Sequence, residues 1–390
     1  MYLLVNGQIV TEESIITDHA VVIENDLIQK IIPSEEIKNY EDYRKIDANG
    51  GYISPGFVDI HSDYIEGIVS PRPTSLMDFN LGIREAEKIL VSHGITTMFH
   101  SLSIYKDDSF SQKLIRTPEN VNRLIEEISK THGSKHLIRN RLHARYEIDN
   151  MDQVDQLVEN IQNGKVHLVS FMDHTPGQGQ YRDLEIYRKT IKGYQKLTDE
   201  QADQIIANHQ MKDKLTIDRL KEVAQIALHH GIAVASHDDD SCEKLDLVQS
   251  YGTTISEFPT TLEVAKKAKK MGLKTIAGAP NILLGGSHSG NLSAAEAIMN
   301  DAIEILCSDY YPAALLHSIF HMHEKYGQDL HQMFQFVTLN PAKAVKMDHL
   351  IGSIKEGKKA DIIIIENVDN YPGVTTAMVD GQIITRTIYR

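Results

Sequence analysis

Pro55-Gly56-Phe57-Val58-Asp59-Ile60-His61-Ser62-Asp63 is the stretch that decides how this chain folds. Phe57 to Ile60 is apolar apart from one acid and reads as a short buried strand. It runs into two potential metal ligands, His61 and Asp63. Their spacing turns both side chains to one side, at the strand's carboxyl end. In a parallel α/β barrel that end carries the chemistry. A single His-x-Asp among 19 histidines and 54 acidic residues says little. Its weight comes from the recurrence of the same pattern downstream.

Outward from this segment, residues 52 to 345 alternate strand-like and helix-like stretches. The predicted strands are Phe57–His61, Thr96–Leu102, Leu142–Glu147, Leu168–Asp173, Ala233–His237, Ile255–Phe258, Lys274–Ala277 and Ile305–Ser308. Amphipathic stretches such as Val121–Thr131, Asp152–Gln162, Asp218–His230 and Leu262–Met271 separate them. This predicts an α/β fold, a (β/α)8 TIM-like barrel, and about 290 residues suits such a barrel with insertions. The largest insertion, Tyr181 to Leu215, reads as helical and follows the fourth strand on the active face; both a lid and a solvated hairpin fit it.

The flanks differ. Tyr2–Val5, Ala20–Ile23 and Ile28–Ile32 at one end, and Ala360–Ile365 and Thr376–Ile384 at the other, are short β-rich runs punctuated by turns. Val5-Asn6-Gly7-Gln8-Ile9-Val10 and Val379-Asp380-Gly381-Gln382-Ile383-Ile384 nearly repeat each other and read as two hairpins. Residues 1–51 and 346–390 are therefore expected to form the two halves of one small β-sandwich domain, with the barrel at 52–345.

The 54 acidic against 40 basic residues, a net charge of −14, argue against a nucleic-acid binder, which would need a basic face. An anionic small substrate stays open, because a metal ion and a few local cations can invert the potential in a cleft. No run approaches the roughly 18 apolar residues of a membrane span, and the N-terminus lacks the charged and apolar regions of a secretory signal. Two cysteines, Cys242 and Cys307, exclude a disulfide framework, read as small buried hydrophobes and fit a cytoplasmic protein.

Seven of the eight predicted strand ends carry a histidine or carboxylate: His61 and Asp63; His100; His143 and Glu147; Asp173 and His174; His237; Glu257; Asp309. A mixed set of this kind suits one or two divalent ions, which at about 3.5–4 Å separation clamp a phosphoryl or acyl oxygen. His317, His321, His323, His229 and His230 fall in helical contexts and read as helix-surface residues. Gly285 to Asn291, with three glycines, Ser287 and His288, follows the seventh strand and offers donors to an anion. Arg72 and the Pro176–Arg182 loop, with Gln178 and Gln180, add further polar donors. Arg141 and Arg145 fit either anion contacts or surface charge.

The opening β half, Pro-Gly-Phe-Val-Asp-Ile-His, and the closing Asn340-Pro341-Ala342-Lys343-Ala344 with Gly352–Asp361 resemble the amidohydrolase superfamily along essentially the whole chain. His61–Glu66, Pro71-Arg72-Pro73, Met172–Gln180, Ser236–Asp239, Ala279-Pro280-Asn281, Gly285–Asn291 and Ser308–Ala313 resemble its PhnM family more narrowly. That family hydrolyses α-D-ribose 1-methylphosphonate 5-triphosphate to the 5-phosphate and diphosphate in the carbon–phosphorus lyase pathway of phosphonate catabolism.

The resemblance implies His61, Asp63, Glu147, His174, His237 and Asp309 as metal ligands, and one or two ions of zinc, manganese, iron or magnesium. Asp309 would take the water proton, and His237 or His288 would assist the leaving group. Arg72, Gln178, Gln180, Gly286, Ser287, His288 and Asn291 would bind substrate. Two departures stand out. Asp63 replaces the usual second histidine, and no lysine for carboxylation ends the fourth strand, so Glu147 is assigned the bridging role. The implied partner is a small phosphorylated sugar, without nucleic acid or membrane, and a homo-oligomer is compatible. Two rival readings are a hydrolase of C–N bonds (deacetylase, deaminase or cyclic amidase) and an inactive scaffold.

Overall fold

The structure is a computed structural model and describes residues 1–106, 113–181, 183–194, 197–287 and 290–390. All eight expected barrel strands form: Phe57–Ser62, Ile95–Ile104, Arg139–Glu147, Leu168–Met172, Ala233–His237, Ile255–Glu257, Lys274–Gly278 and Ile305–Cys307. They pair in parallel in chain order. A parallel bridge between Ser62 and Asp309 closes the ring. The Asp309 N–H donates to the His61 carbonyl (3.1 Å) and the Asp63 N–H to the Asp309 carbonyl (2.9 Å). The same strip of backbone that shuts the barrel thus fixes the relative position of three candidate ligands.

One apolar cluster draws residues from seven strands and is the barrel interior: Val58, Ile60, Phe99, Leu168, Ala233, Ala235, Ile255, Ile276, Ile305 and Cys307. A second, larger cluster lies between the strands and the helices outside them and includes Phe57, Leu90, Leu124, Leu157 and Val223. The outer helices follow the sequence pattern closely: Pro118–Lys130, Val154–Gln162, Ile217–His229 and Leu262–Lys270. Thr117, Thr216 and Thr261 each accept an amide hydrogen bond at a helix start, which satisfies one otherwise orphaned donor. Among the described residues no helix is long and apolar enough to cross a membrane.

The chain ends build two sheets. One has four strands in the order Leu27–Pro33, His19–Glu24, Tyr2–Val5, Arg44–Asp47; the other has six, in the order Gln382–Arg386, Tyr371–Val379, Ile362–Val368, Tyr52–Pro55, Gln8–Val10, Ile15–Ile16. Leu4, Val21, Ile23, Ile46, Ile53, Ile362, Ile364 and Met378 share the core between them, so both ends of the chain are needed to bury it.

Only the second of the two expected hairpins exists. Met378 pairs with Ile383 and Val379 with Gln382, around Asp380 (φ +46°) and Gly381 (φ +69°), the left-handed pair a two-residue turn requires. Val5–Val10 instead leaves the four-stranded sheet at Val5 and enters the six-stranded sheet at Gln8. The segment from Arg44 to Tyr52 crosses beside it, pairing in parallel with Tyr2–Val5 and then with Gln8. A Cβ on Gly7 would meet the Ile53 side chain at 2.7 Å. Close passage of two crossing segments, not a tight turn, is the reason for that glycine.

The insertion after the fourth strand is helical, as expected. Leu184–Tyr194 and Asp199–Gln210 form its two helices, around a small core of Tyr187, Ile191, Ala202 and Ile206. Cys307 is buried, whereas Cys242, the first residue of helix Cys242–Gln249, is only half-buried.

Candidate active site

His61 reaches the site through a distortion. Val58 and Ile60 face the barrel interior, and simple alternation would turn His61 away from it. The register against the second strand slips between Asp59 and Ser62. Such a bulge re-aims the next side chain, and His61 swings inward to donate from Nδ1 to Glu257 Oε1 at 3.0 Å. Three other strand ends turn through left-handed backbone. Asp238, Phe258 and Asp309 take φ of +53°, +55° and +57°, a conformation aspartate visits readily but one that is costly for phenylalanine. Phe258 uses that turn to lay its ring against His61 (4.8 Å between centroids) and His237 (5.3 Å).

A cavity of about 420 Å³ opens over these strand ends. Of the expected site residues, His61, Asp63, His174, His237, Asp309, Gly286, Ser287 and Asn291 line it. Two sets of three ligands meet at His237: His61, His237 and Glu257, and His174, His237 and Asp238, each with donor atoms within 4.8 Å of one another. Glu147 is buried behind the second set. Its two carboxylate oxygens accept from the backbone N–H and from Nδ1 of His174, each at 2.7 Å.

These residues suit a divalent cation on local evidence. Glu257 holds the proton of His61 on Nδ1, and Glu147 does the same for His174. Both Nε2 lone pairs are thereby free, the arrangement carboxylate–histidine pairs give to metal ligands. His237 Nδ1 and Asp238 Oδ2 lie 2.9 Å apart as a buried ion pair, without the geometry of a hydrogen bond to any group. A buried donor and acceptor facing each other in this way suit a shared cation.

The electrostatics follow the burial. Desolvation pushes His61 well below its ordinary value, helped by the Arg145 charge. His174 is raised, because the Glu147 carboxylate outweighs the burial that opposes its charge. Burial, and then the neighbouring Asp63, lifts Asp309 to about 7.

Other candidates lie elsewhere. Arg72 is exposed, and its carbonyl accepts from Ser75. Neither Arg72 nor Gln178 is among the residues lining the cavity. His288 and the side chain of Gln180 lie outside the described residues. The Gly286 amide donates to the Asn281 carbonyl and the Gly290 amide to Ser287, so these two backbone donors are already used within the loop. His100 points away from the interior to Asn140, and both ring nitrogens of His143 are taken by Ser101 and Ser170; both are core residues. Asp173 pairs with Lys214 and Thr175. Of the helical histidines, His229, His230 and His323 are exposed, whereas His317 and His321 are half-buried.

The cavity also holds Tyr105, Lys113 and Arg116, which no motif had pointed to, beside Tyr181 of the Pro176–Arg182 loop and Tyr310 of the Ser308–Ala313 segment. Arg116 chelates Glu66 (2.9 Å) and approaches Asp63 (3.6 Å), partners some fifty residues away that no local pattern announces. Asp238 could have been found, since it follows His237 directly.

A parallel barrel whose strand ends gather histidines and carboxylates around one cavity defines a barrel hydrolase with candidate metal-binding groups. Residues 52–384 match the amidohydrolase family and residues 1–52 the NagA composite domain, and the chain belongs to the amidohydrolase family. It is 32% identical over 368 residues to the alpha-D-ribose 1-methylphosphonate 5-triphosphate diphosphatase of Escherichia coli (strain K12), covering 92% of this chain and 96% of that one. It is 23% identical to the imidazolonepropionase of Picrophilus torridus, over 94% and 91% of the two chains. N-acetylglucosamine-6-phosphate deacetylase from Pasteurella multocida shares the fold, with a TM-score of 0.66, 13% identity and coverage of 98% and 99%.

Proposed function

We propose that this hydrolase cleaves a phosphoanhydride bond of α-D-ribose 1-methylphosphonate 5-triphosphate, leaving the 5-phosphate and releasing diphosphate. The observation that carries the reading is the near full-length likeness to the Escherichia coli diphosphatase. The cavity's chemistry agrees with it: in a chain of net charge −14, Lys113, Arg116 and Arg145 line it; the first two share Glu66, and Arg145 is the cation left for an anionic phosphate chain.

One or two divalent ions held by His61, His174, His237 and Asp309, with Asp63 as a further carboxylate and Glu147 orienting His174, would polarise the phosphoryl oxygens and lower the pKa of water toward about 7. This oxygen-rich set suits manganese, iron or magnesium as well as zinc. Asp309 accepts the proton of the attacking water. Ser287 and Asn291 orient the phosphate chain, and His237 or His288 assists the departing diphosphate. Phe258, packed on His61 and His237, shields the ligand cluster from bulk water.

The test is to incubate the protein with this triphosphate in the presence of manganese, zinc, iron or magnesium and follow phosphorus NMR, with His237→Ala as control. Diphosphate and the 5-phosphate are expected, and neither in the variant. No turnover with any of the four ions discards the substrate and returns the question to C–N hydrolysis.

A further inference from the structure

Arg145 lies in the third barrel strand between His143 and Glu147, so alternation turns it toward the barrel axis, and it lines the cavity beside His61, His237 and Asp309. A half-buried guanidinium ordinarily has a carboxylate partner. Arg145 pairs with none among the described residues. Its Nη2 meets His237 Nε2 at 3.1 Å, and its Nε is buried without a hydrogen-bond partner. Two other cations lining the cavity are answered already: Arg116 by Glu66 at 2.9 Å, and Lys113 by the same carboxylate at 3.8 Å.

The contact with His237 is incompatible with metal binding at that ring. To accept from Arg145, Nε2 must offer its lone pair while Nδ1 carries the proton. A cation on Nε2 takes that lone pair. A cation on Nδ1 moves the proton to Nε2, which then cannot accept. Either way Arg145 loses its acceptor when His237 becomes a ligand, and Asp309, on whose carboxyl its charge acts across the cavity, is itself assigned to the metal.

We propose that Arg145 then binds a phosphate oxygen of the substrate, so that one guanidinium exchanges a histidine for an anion as the site is loaded and selects phosphoanhydrides over uncharged substrates. This rests on the reading of the preceding subsection and adds the residue that enforces it. An arginine fork suits a phosphate better than an ammonium does, so lysine replaces it only in part.

The experiment measures binding of inorganic diphosphate by calorimetry to manganese-loaded wild type, Arg145→Gln and Arg145→Lys, alongside metal content by mass spectrometry. Arg145→Gln is expected to keep its metal and bind diphosphate at least about 30-fold more weakly, with Arg145→Lys between. Unchanged affinity in Arg145→Gln overturns the proposal. Loss of metal from that variant also overturns it, because Arg145 would then be a support for His237. A wild type with no affinity for millimolar diphosphate overturns it too. Should Arg145→Gln not fold, Arg145→Lys decides: metal retained with affinity down about fivefold or more supports the proposal, and unchanged affinity ends it.

The two readings separate cleanly. Arg145-dependent diphosphate binding without cleavage of the triphosphate discards the reaction and keeps Arg145. Cleavage by Arg145→Gln at wild-type kcat/KM discards Arg145 and keeps the reaction.

Discussion

Glu147 serves His174 twice, taking the backbone N–H on one carboxylate oxygen and the ring Nδ1 on the other, each at 2.7 Å. The bond fixes the tautomer as well as the ring plane, and leaves Nε2 as the free lone pair. Glu147→Gln keeps the shape but exchanges the ring's carboxylate partner for an amide. Metal affinity is expected to fall about 10- to 100-fold, read by titration against a competing chelator. Undiminished affinity would remove Glu147 from the metal-binding set.

Asp309 sits at φ +57°, a conformation that asparagine tolerates better than most residues. Asp309→Asn should therefore stay folded, with a thermal midpoint near that of the wild type, while losing the proton acceptor. Turnover of the triphosphate is expected to drop at least about 100-fold. A variant that works at the wild-type rate would sink the assignment.

Gly56 precedes the first barrel strand, and a Cβ there would overlap the Thr96 side chain. The second strand is buried along its whole length and has no room to yield. Gly56→Ala is expected to cost about 1–3 kcal/mol of stability, measurable as a lowered urea midpoint with an unchanged slope. No shift would mean that the strand pair relaxes freely.

Glu12 ties the two ends of the chain together, reaching Ser353, Lys355 and Lys358. Burial would raise its pKa, but hydrogen bonds from Lys355, Ser353 and Lys358 prevail and hold it down to about 2. Because the folded value is depressed, its stabilisation is complete above the unfolded value of about 4.5 and fades as pH falls through about 2. Wild type should exceed Glu12→Gln by about 1–2 kcal/mol at neutral pH, the gap narrowing below pH 5 in unfolding experiments run down to acid. A gap independent of pH would show that the carboxylate's charge is not what holds the ends.

The barrel was readable before any coordinates because its information is local. Phe57–Ser62 and Ala233–His237 announce themselves by apolar runs that end in a ligand, and helix Pro118–Lys130 by a single apolar face with a threonine cap. The repeat at Val5–Val10 misled for the same reason. Asn-Gly between apolar residues is a hairpin pattern, and nothing in those six residues records that Arg44–Tyr52 passes beside them.

The sequence by itself determined the strands, their order, and a list of histidines and acids at their ends, since each depends on neighbours a few positions apart. Tertiary structure decided which of them meet. The slip between Asp59 and Ser62 turned His61 inward, while His100 went to Asn140 and His143 to two serines. Barrel closure set Asp309 beside Asp63, and the fold carried Arg116 to Glu66 and left Arg145 with His237. Those pairings depend on register and closure around a ring of eight strands, which only the packing of the whole barrel fixes.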